Sequence, residues 1–334
     1  MKHFLNTQDW SRADLDALLA HAAMFKRSKL GDELKGRSIA LVFFNPSMRT
    51  RTSFELGAFQ LGGHAVVLQP GKDAWPIEFD LGTVMDGDTE EHIAEVAKVL
   101  GRYVDLIGVR AFPKFVDWAY DREDIVLKSF AEYSPVPVIN METITHPCQE
   151  LAHALALQQH FGTTDLRGKK YVLTWTYHPK PLNTAVANSA LTIATRLGID
   201  VTLLCPTPEY VLDERYMGWA AQNVAESGGS LAVSHDVEAA YAGADVVYAK
   251  SWGALPYFGK WEPEKPIRDQ YKHFIVDEAK MALTNNGVFS HCLPLRRNVK
   301  ATDGVMDSPQ CIAIDEAENR LHVQKAIMAA LMQQ

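Results

Sequence analysis

Apolar positions recur along this chain with two periods. Over 9–29 they fall on one helical face, through Leu15, Leu18, Leu19, Ala22 and Ala23, and Asp9 or Ser11 can cap the start. From Ile39 to Val42 the chain is continuously apolar, as in a buried strand. Strand patterns at 38–45, 65–69, 106–110 and 136–141 alternate with helical patterns at 49–61, 89–102 and 114–133. A long helical pattern over 147–160 and a polar turn at 163–170 follow. The alternation then restarts, with strands at 170–176, 200–205, 230–234 and 245–249 and helices at 183–197, 213–227 and 236–243. Further strands are expected near 274–276 and 287–291, and a last amphipathic helix over 321–331. Such alternation builds parallel sheets through βαβ units. The expected fold is α/β, two doubly wound parallel-sheet domains joined by helices, with the division at 145/146.

Length supports two domains, because 334 residues exceed what one compact core usually holds. A net charge of −8 and the lack of a basic stripe argue against nucleic acid as a partner. No apolar run approaches a membrane span, and the N-terminus lacks the apolar core of a signal peptide. Cys148, Cys205, Cys292 and Cys311 are scattered with no C-x-x-C, so disulfides and zinc are not expected and a cytoplasmic location is.

On this acidic background, local cations stand out. "NPSMRTRTSFELGAFQLGG" (45–63) breaks the first strand, offers a cap and places Arg49 and Arg51 in the first helical turn. A helix start already carries partial positive charge. An anion reverses the sign of that repulsion, and Ser47 and Thr50 add hydroxyl donors. Surface arginines at a helix start are the plainer reading. Arg110 ends the run "VDLIGVR" as a second cation at the carboxyl end of a strand, where open α/β sheets bind ligands. "ETITHPCQE" brings Glu142, His146 and Gln149 into one loop, as hydrogen-bonding groups or as a helix cap. In "HCLPLRR", Pro294 keeps Leu293 out of a helix, so the Cys292 and Leu293 carbonyls are free to accept from an amine. Cys292 has no evident base and reads as an inert thiol. A dinucleotide site is not expected, because "VLTWTYHPKPLNTAV" has no glycine after its strand. "GALPYFGKW" departs from a P-loop in spacing and in its last residue, and neither G-x-S-x-G nor H-E-x-x-H occurs.

Three of these motifs in order, Ser47-Met48-Arg49-Thr50-Arg51, His146-Pro147-Cys148-Gln149 and His291-Cys292-Leu293-Pro294, resemble the aspartate/ornithine carbamoyltransferase superfamily along nearly the whole chain. The resemblance implies a first domain over 1–145 for carbamoyl phosphate and a second over 146–317 for the acceptor. A C-terminal helix, 318–334, would pack back on the first domain. It implies a homotrimer with shared active sites, and no metal or cofactor. Ser47, the Met48 N–H, Arg49, Thr50 and Arg110 would bind phosphate. Arg110, His146, Gln149 and Thr50 would polarise the carbamoyl group, with Pro147, Cys148, Cys292 and Leu293 lining the same site.

Two departures are visible. Met48 stands where Thr is usual, which preserves a backbone donor. Lys250 stands where the ornithine enzymes carry an Asp facing the α-ammonium. A cation there suits an acceptor whose α-nitrogen is acylated. With "DAWPIEFDLGTVMDGDTEEH" and "HCLPLRRNVKATDGVMD", the chain resembles the branch that carbamoylates N2-acetyl-L-ornithine in arginine biosynthesis. Glu142, Lys250, Leu293 and Arg320 would then bind that acceptor. Trp75 would cover carbamoyl phosphate in a neighbouring subunit, or pack as a loop aromatic. Glu90 would repel a succinyl carboxylate, or stabilise a helix start, or both. Lys300 matches a position that can be carboxylated. The rival readings are an N-succinylornithine enzyme and a catalytically silent carbamoyl-phosphate-binding homologue.

Overall fold

The protein's computed structural model describes residues 2–333. The chain divides into two compact units. The first takes the chain to Lys114, then Ala119–Leu151, then the residues from Asn319 onward; the second holds Phe115–Trp118 and Ala152–Glu318.

In the first unit α1 (Arg12–Arg27) begins at Ser11, whose hydroxyl accepts from the Asp14 N–H at 3.1 Å. Then follow β1 (Ser38–Phe43), α2 (Arg49–Gln60), β2 (His64–Leu68), the two-residue strands β3 (Ile77–Glu78) and β4 (Glu91–His92), α3 (Ile93–Tyr103), β5 (Leu106–Arg110), α4 (Trp118–Asp121, whose first residue belongs to the second unit), α5 (Ile125–Tyr133) and β6 (Val138–Glu142). The main sheet is parallel in the order β2-β1-β5-β6. Ala40, Val42, Ile107, Val109 and Val138 from its strands meet Ile93, Ala97, Leu127 and Phe130 from its helices in one core. Burying each large aliphatic side chain is worth about 1.5–3 kcal/mol.

Two expectations need correction here. The pattern at 114–133 is not one helix: Asp124 takes φ +53° and separates α4 from α5. Its carboxylate accepts from the Thr143 hydroxyl at 2.6 Å, and Asp is among the few residues that tolerate this region. The helix expected from 89 starts at Ile93, because Glu91–His92 pair with Ile77–Glu78 and the His92 ring accepts from the Ala94 N–H at 3.2 Å.

Helix α6 (Pro147–Phe161) carries the chain onward. The second unit holds β7 (Lys170–Trp175), α7 (Ala185–Arg196), β8 (Asp200–Leu204), α8 (Glu214–Ser227), β9 (Ser230–Ser234), α9 (Val237–Tyr241), β10 (Val246–Lys250), α10 (Trp261–Arg268), α11 (Glu278–Met281), β11 (Val288–Ser290) and α12 (Asp303–Met306). Its sheet is parallel in the order β11-β10-β7-β8-β9. The strand expected near 274–276 is only a single bridge, Val276 to Ala301. Helix α13 (Ala313–Met332) returns the chain to the first unit at Asn319.

In each sheet the strand order reverses once. The chain leaves β1 to one side for β2 and to the other for β5; in the second sheet β7 has β8 on one side and β10 on the other. Such switch points, at the carboxyl ends of the strands, are where open α/β sheets bind ligands. Arg110 ends β5 opposite Phe43 of β1, and Lys250 ends β10 opposite Trp175 of β7.

Candidate functional site

The first cluster grows from the β1–β5 switch point. Asn45 ties its two strand ends together, accepting from the Phe112 N–H at 2.7 Å. Ser47 caps the turn into α2, accepting from the Thr50 N–H at 3.1 Å. Helix α2 begins at Arg49; Arg49 is half-buried, Met48 is exposed and Thr50 is buried. Arg51 points elsewhere, exposed and paired with Glu55 at 3.3 Å. Arg110 is buried, donates to Glu142 Oε2 and lies over the Phe112 ring at 4.5 Å. Its Nε is buried without a partner, an aimed donor that a ligand oxygen would satisfy. His146 Nε2 stands 3.5 Å from the same Glu142 oxygen.

Pro147 opens α6 directly after His146, a position where the missing N–H costs nothing. Cys148 faces inward: its thiol meets the Asn140 carbonyl at 3.5 Å and burial pushes it up to about 12. Cys148 therefore offers a ligand only its backbone. Gln149 is buried, and its Oε1 accepts from Arg320 Nη1 at 2.7 Å. Arg320 Nη2 donates to Thr50 Oγ1 at 2.9 Å. In the structure the guanidinium of Arg320, a candidate acceptor ligand, braces Thr50 and Gln149. No local pattern announces that contact, although Asn319, Arg320, Gln324 and Lys325 are four polar residues all buried on one helix.

Trp75 and Glu90 lie in the 69–92 segment, and both are exposed on this unit. The Glu90 N–H donates to the Pro76 carbonyl at 3.3 Å.

The second cluster belongs to the other unit. Lys250 ends β10 and its ammonium donates to Cys292 Sγ at 3.4 Å. Cys292 follows β11, the neighbouring strand. Leu293 is held at φ +52°, an uncommon conformation for a branched residue, and its N–H donates to His291 Nδ1 at 2.8 Å. Lys300 is buried, and burial together with repulsion from Lys250 pushes its amine down to about 7. This Lys250–Lys300 proximity was not legible in the sequence, where they stand fifty positions apart. Among the described residues, no cluster of three or more His, Cys, Asp and Glu side chains could hold a metal ion.

Each cluster has its own chemical character. The first offers two guanidinium groups, hydroxyls, an imidazole and a helix N-terminus, suited to a phosphoryl group and a polarised carbonyl. The second offers an ammonium and backbone carbonyls, suited to a carboxylate and an amine.

Comparisons with known proteins agree with this division. The model of the aspartate/ornithine carbamoyltransferase carbamoyl-P binding domain matches residues 2–159, and that of the Asp/Orn binding domain matches residues 176–331. N-acetylornithine carbamoyltransferase of Xanthomonas campestris pv. campestris is 90% identical over 334 residues, covering 100% of this chain and 98% of the relative. N-succinylornithine carbamoyltransferase of Bacteroides thetaiotaomicron is 37% identical over 326 residues, covering 96% and 95%. A crystal structure of acetylornithine transcarbamylase complexed with acetylcitrulline matches with a TM-score of 0.99 and 91% identity, covering 99% of each chain. A variant of N-acetyl-L-ornithine transcarbamylase complexed with carbamyl phosphate and N-succinyl-L-norvaline matches with a TM-score of 0.99 and 90% identity, covering 99% of this chain and 100% of that one.

Proposed function

The chain belongs to the aspartate/ornithine carbamoyltransferase family, and we propose that it transfers the carbamoyl group of carbamoyl phosphate to the side-chain amine of N2-acetyl-L-ornithine. The products are N-acetyl-L-citrulline and phosphate, a step of arginine biosynthesis. The 90% identity to N-acetylornithine carbamoyltransferase over the full chain supports the choice of acceptor. So does Lys250, a cation where the acceptor's α-substituents bind, which disfavours a free α-ammonium.

Ser47, the Met48 N–H, Arg49 and Thr50 cradle the phosphate at the start of α2, helped by Arg110. Arg110, His146, Gln149 and Thr50 donate to the carbamoyl oxygen, on which charge develops as the amine adds to the carbon. The Pro147 and Cys148 backbone completes the wall. Glu142, Lys250 and the Leu293 carbonyl hold the acceptor, and the Cys292 and Leu293 carbonyls direct its amine. The C–N bond forms, the C–O bond to phosphate breaks with its electron pair leaving on phosphate, and phosphate takes the amine's proton. Positioning and electrostatics supply the rate. Arg320 is best supported as the brace of Thr50 and Gln149. The observation that carries the anion site is Arg110, buried at the switch point with Nε unpartnered.

A homotrimer with shared sites is part of this reading. Leu56, Phe59, Val66, Trp75 and Val84 are exposed on the first unit and are available to such an interface. In that assembly Trp75 and Glu90 serve a neighbouring subunit's site, Trp75 over carbamoyl phosphate and Glu90 near the acyl group. Lys300, held near neutrality, is a nucleophile able to add to CO2 and lose a proton. Its carboxylation would turn a buried cation beside Lys250 into an anion. Four free cysteines fit a reducing cytoplasm, and among the described residues no helix is long and apolar enough to cross a membrane.

The test offers ornithine, N2-acetylornithine and N2-succinylornithine side by side with carbamoyl phosphate and measures ureido product. Acetylornithine should give the highest kcat/KM. Preference for free ornithine sinks the Lys250 argument, and no product from any of the three supports a silent homologue.

A further inference from the structure

Strand β11 lies at one end of its sheet, and the two carbonyls that direct the acceptor's amine follow just after it. Its ladder to β10 has three residue pairs, Val246 with Val288, Val247 with Phe289 and Tyr248 with Ser290. On its other edge Phe289 bridges to Cys311. Strands commonly run to about five or six residues, so this one has little backbone pairing with which to hold the chain that follows it.

A buried carboxylate ties the two strands together through their side chains. Glu316, in the first turn of α13, accepts from the Tyr248 phenol at Oε1, 3.1 Å away, and from the Ser290 hydroxyl at Oε2. Tyr248 and Ser290 are the last pair of the ladder, and Ser290 and Glu316 are fully buried. His153, from α6, meets the same Oε2 through Nδ1 at 2.8 Å. Burial, and then the charge of Glu316, push the Tyr171 phenol well above its ordinary range, so it keeps its proton and donates to His153 Nε2 at 3.0 Å. That leaves Nδ1 as the nitrogen that donates to Glu316. Tyr248 is held protonated by the same two causes. A carboxylate this deep is costly unless its oxygens are paired, and here donors from two strands and a helix converge on it.

Side chains alternate along a strand, so Lys250 stands on the same face of β10 as Tyr248, two residues on. Cys292 stands two residues beyond Ser290 and meets the Lys250 ammonium at 3.4 Å. The carboxylate bridge thus lies directly before the acceptor half-site on both strands. We propose that Glu316 is a positioning residue that staples β11 to β10 and so fixes the Cys292 and Leu293 carbonyls against Lys250. The inference rests on the carbamoyl-transfer reading. Lys250 holds the acceptor's carboxylate and the two carbonyls hold its amine, so the staple sets the span that the acceptor must fit. Glu316 itself touches no substrate.

In the full-length protein, Glu316→Gln keeps the shape of the side chain but puts a donor where an acceptor stood, so one of its partners loses a bond. The KM for N2-acetylornithine should rise about tenfold, the worth of one hydrogen bond to a charged group, while calorimetry shows carbamoyl phosphate affinity unchanged. Ser290→Ala and Tyr248→Phe each remove one arm of the staple. Each should raise the same KM, and they decide the matter if Glu316→Gln fails to fold. Both arms act through one carboxylate, so the double variant should be about as impaired as the worse single variant, not by the product of the two. An unchanged acetylornithine KM in the folded variants overturns the proposal. So does a fall in carbamoyl phosphate affinity by the same factor, which marks general loosening, and so do multiplicative effects of Ser290→Ala and Tyr248→Phe. A wild type that binds carbamoyl phosphate but yields no ureido product overturns the carbamoyl-transfer reading itself, and the proposal with it.

Discussion

Arg320→Lys separates two roles that a buried arginine in this family could play. The guanidinium is 4% exposed and spends one nitrogen on Gln149 Oε1 at 2.7 Å and another on Thr50 Oγ1 at 2.9 Å. A lysine keeps the charge but has a single nitrogen, so it reaches one of these oxygens and abandons the other. Losing a hydrogen bond to a charged group costs about 1.5–3 kcal/mol. If Gln149 and Thr50 act on the carbamoyl group, that cost is paid in the transition state and lowers kcat/KM for carbamoyl phosphate about 10- to 150-fold. The assay measures ureido product while each substrate is varied in turn, with carbamoyl phosphate binding followed separately by calorimetry. A brace predicts weaker carbamoyl phosphate binding and lower kcat, with the acetylornithine KM little changed. A rise in the acetylornithine KM alone, with unchanged carbamoyl phosphate binding, refutes the brace and returns Arg320 to the acceptor.

Glu90→Ser should let N2-succinylornithine serve as acceptor, because a carboxylate near the acyl group is removed; a variant that still rejects it shows that Glu90 is not the filter. Lys300→Met should stabilise the fold most at low pH. The folded amine sits near 7 against 10.5 unfolded, so its penalty is complete below about pH 7 and fades as pH rises toward 10.5. Melting curves at pH 6 and pH 10 should therefore show a gain in Tm that shrinks with pH, and a gain independent of pH rejects the buried cation. Gly101→Ala should cost about 1–3 kcal/mol in urea unfolding, because its Cβ would sit 2.4 Å from Pro135 Cδ on a rigid ring; a cost below about 0.5 kcal/mol shows that α3 shifts freely.

Much of this fold was legible because its signals are local. The apolar runs that became β1, β5 and β7 stand out against polar turns, and Ser11 and Ser47 announce the turns they cap. The strands β3 and β4 hold two residues each, too few to show a period. Helix α10 hides behind two prolines in "WEPEKPIR", and it carries the buried Glu264–Arg268 pair, itself met by Tyr210. The site divides the same way. Arg49, Arg110, His146 and Gln149 stood in recognisable local settings at strand ends and helix starts. The Arg320 brace and the neighbourhood of Lys300 and Lys250 arise only when distant chain segments meet, and no window of sequence contains both partners.

The return of α13 to the first unit has a consequence for synthesis. Asn319, Arg320, Ala326, Ile327 and Met328 are buried there, and Lys325 donates to the Lys29 carbonyl at 2.8 Å and to Gln60 at 3.0 Å. A growing chain commonly folds its early domains while later ones are still being made. Here α2 stays uncovered at Gly57, and Thr50 and Gln149 stay unbraced, until residues 320–328 have been made. The phosphate-binding half of this protein is thus the first to be encoded and among the last to be finished, so a chain truncated at Glu318 has every strand of its first sheet but lacks the brace of Thr50 and Gln149.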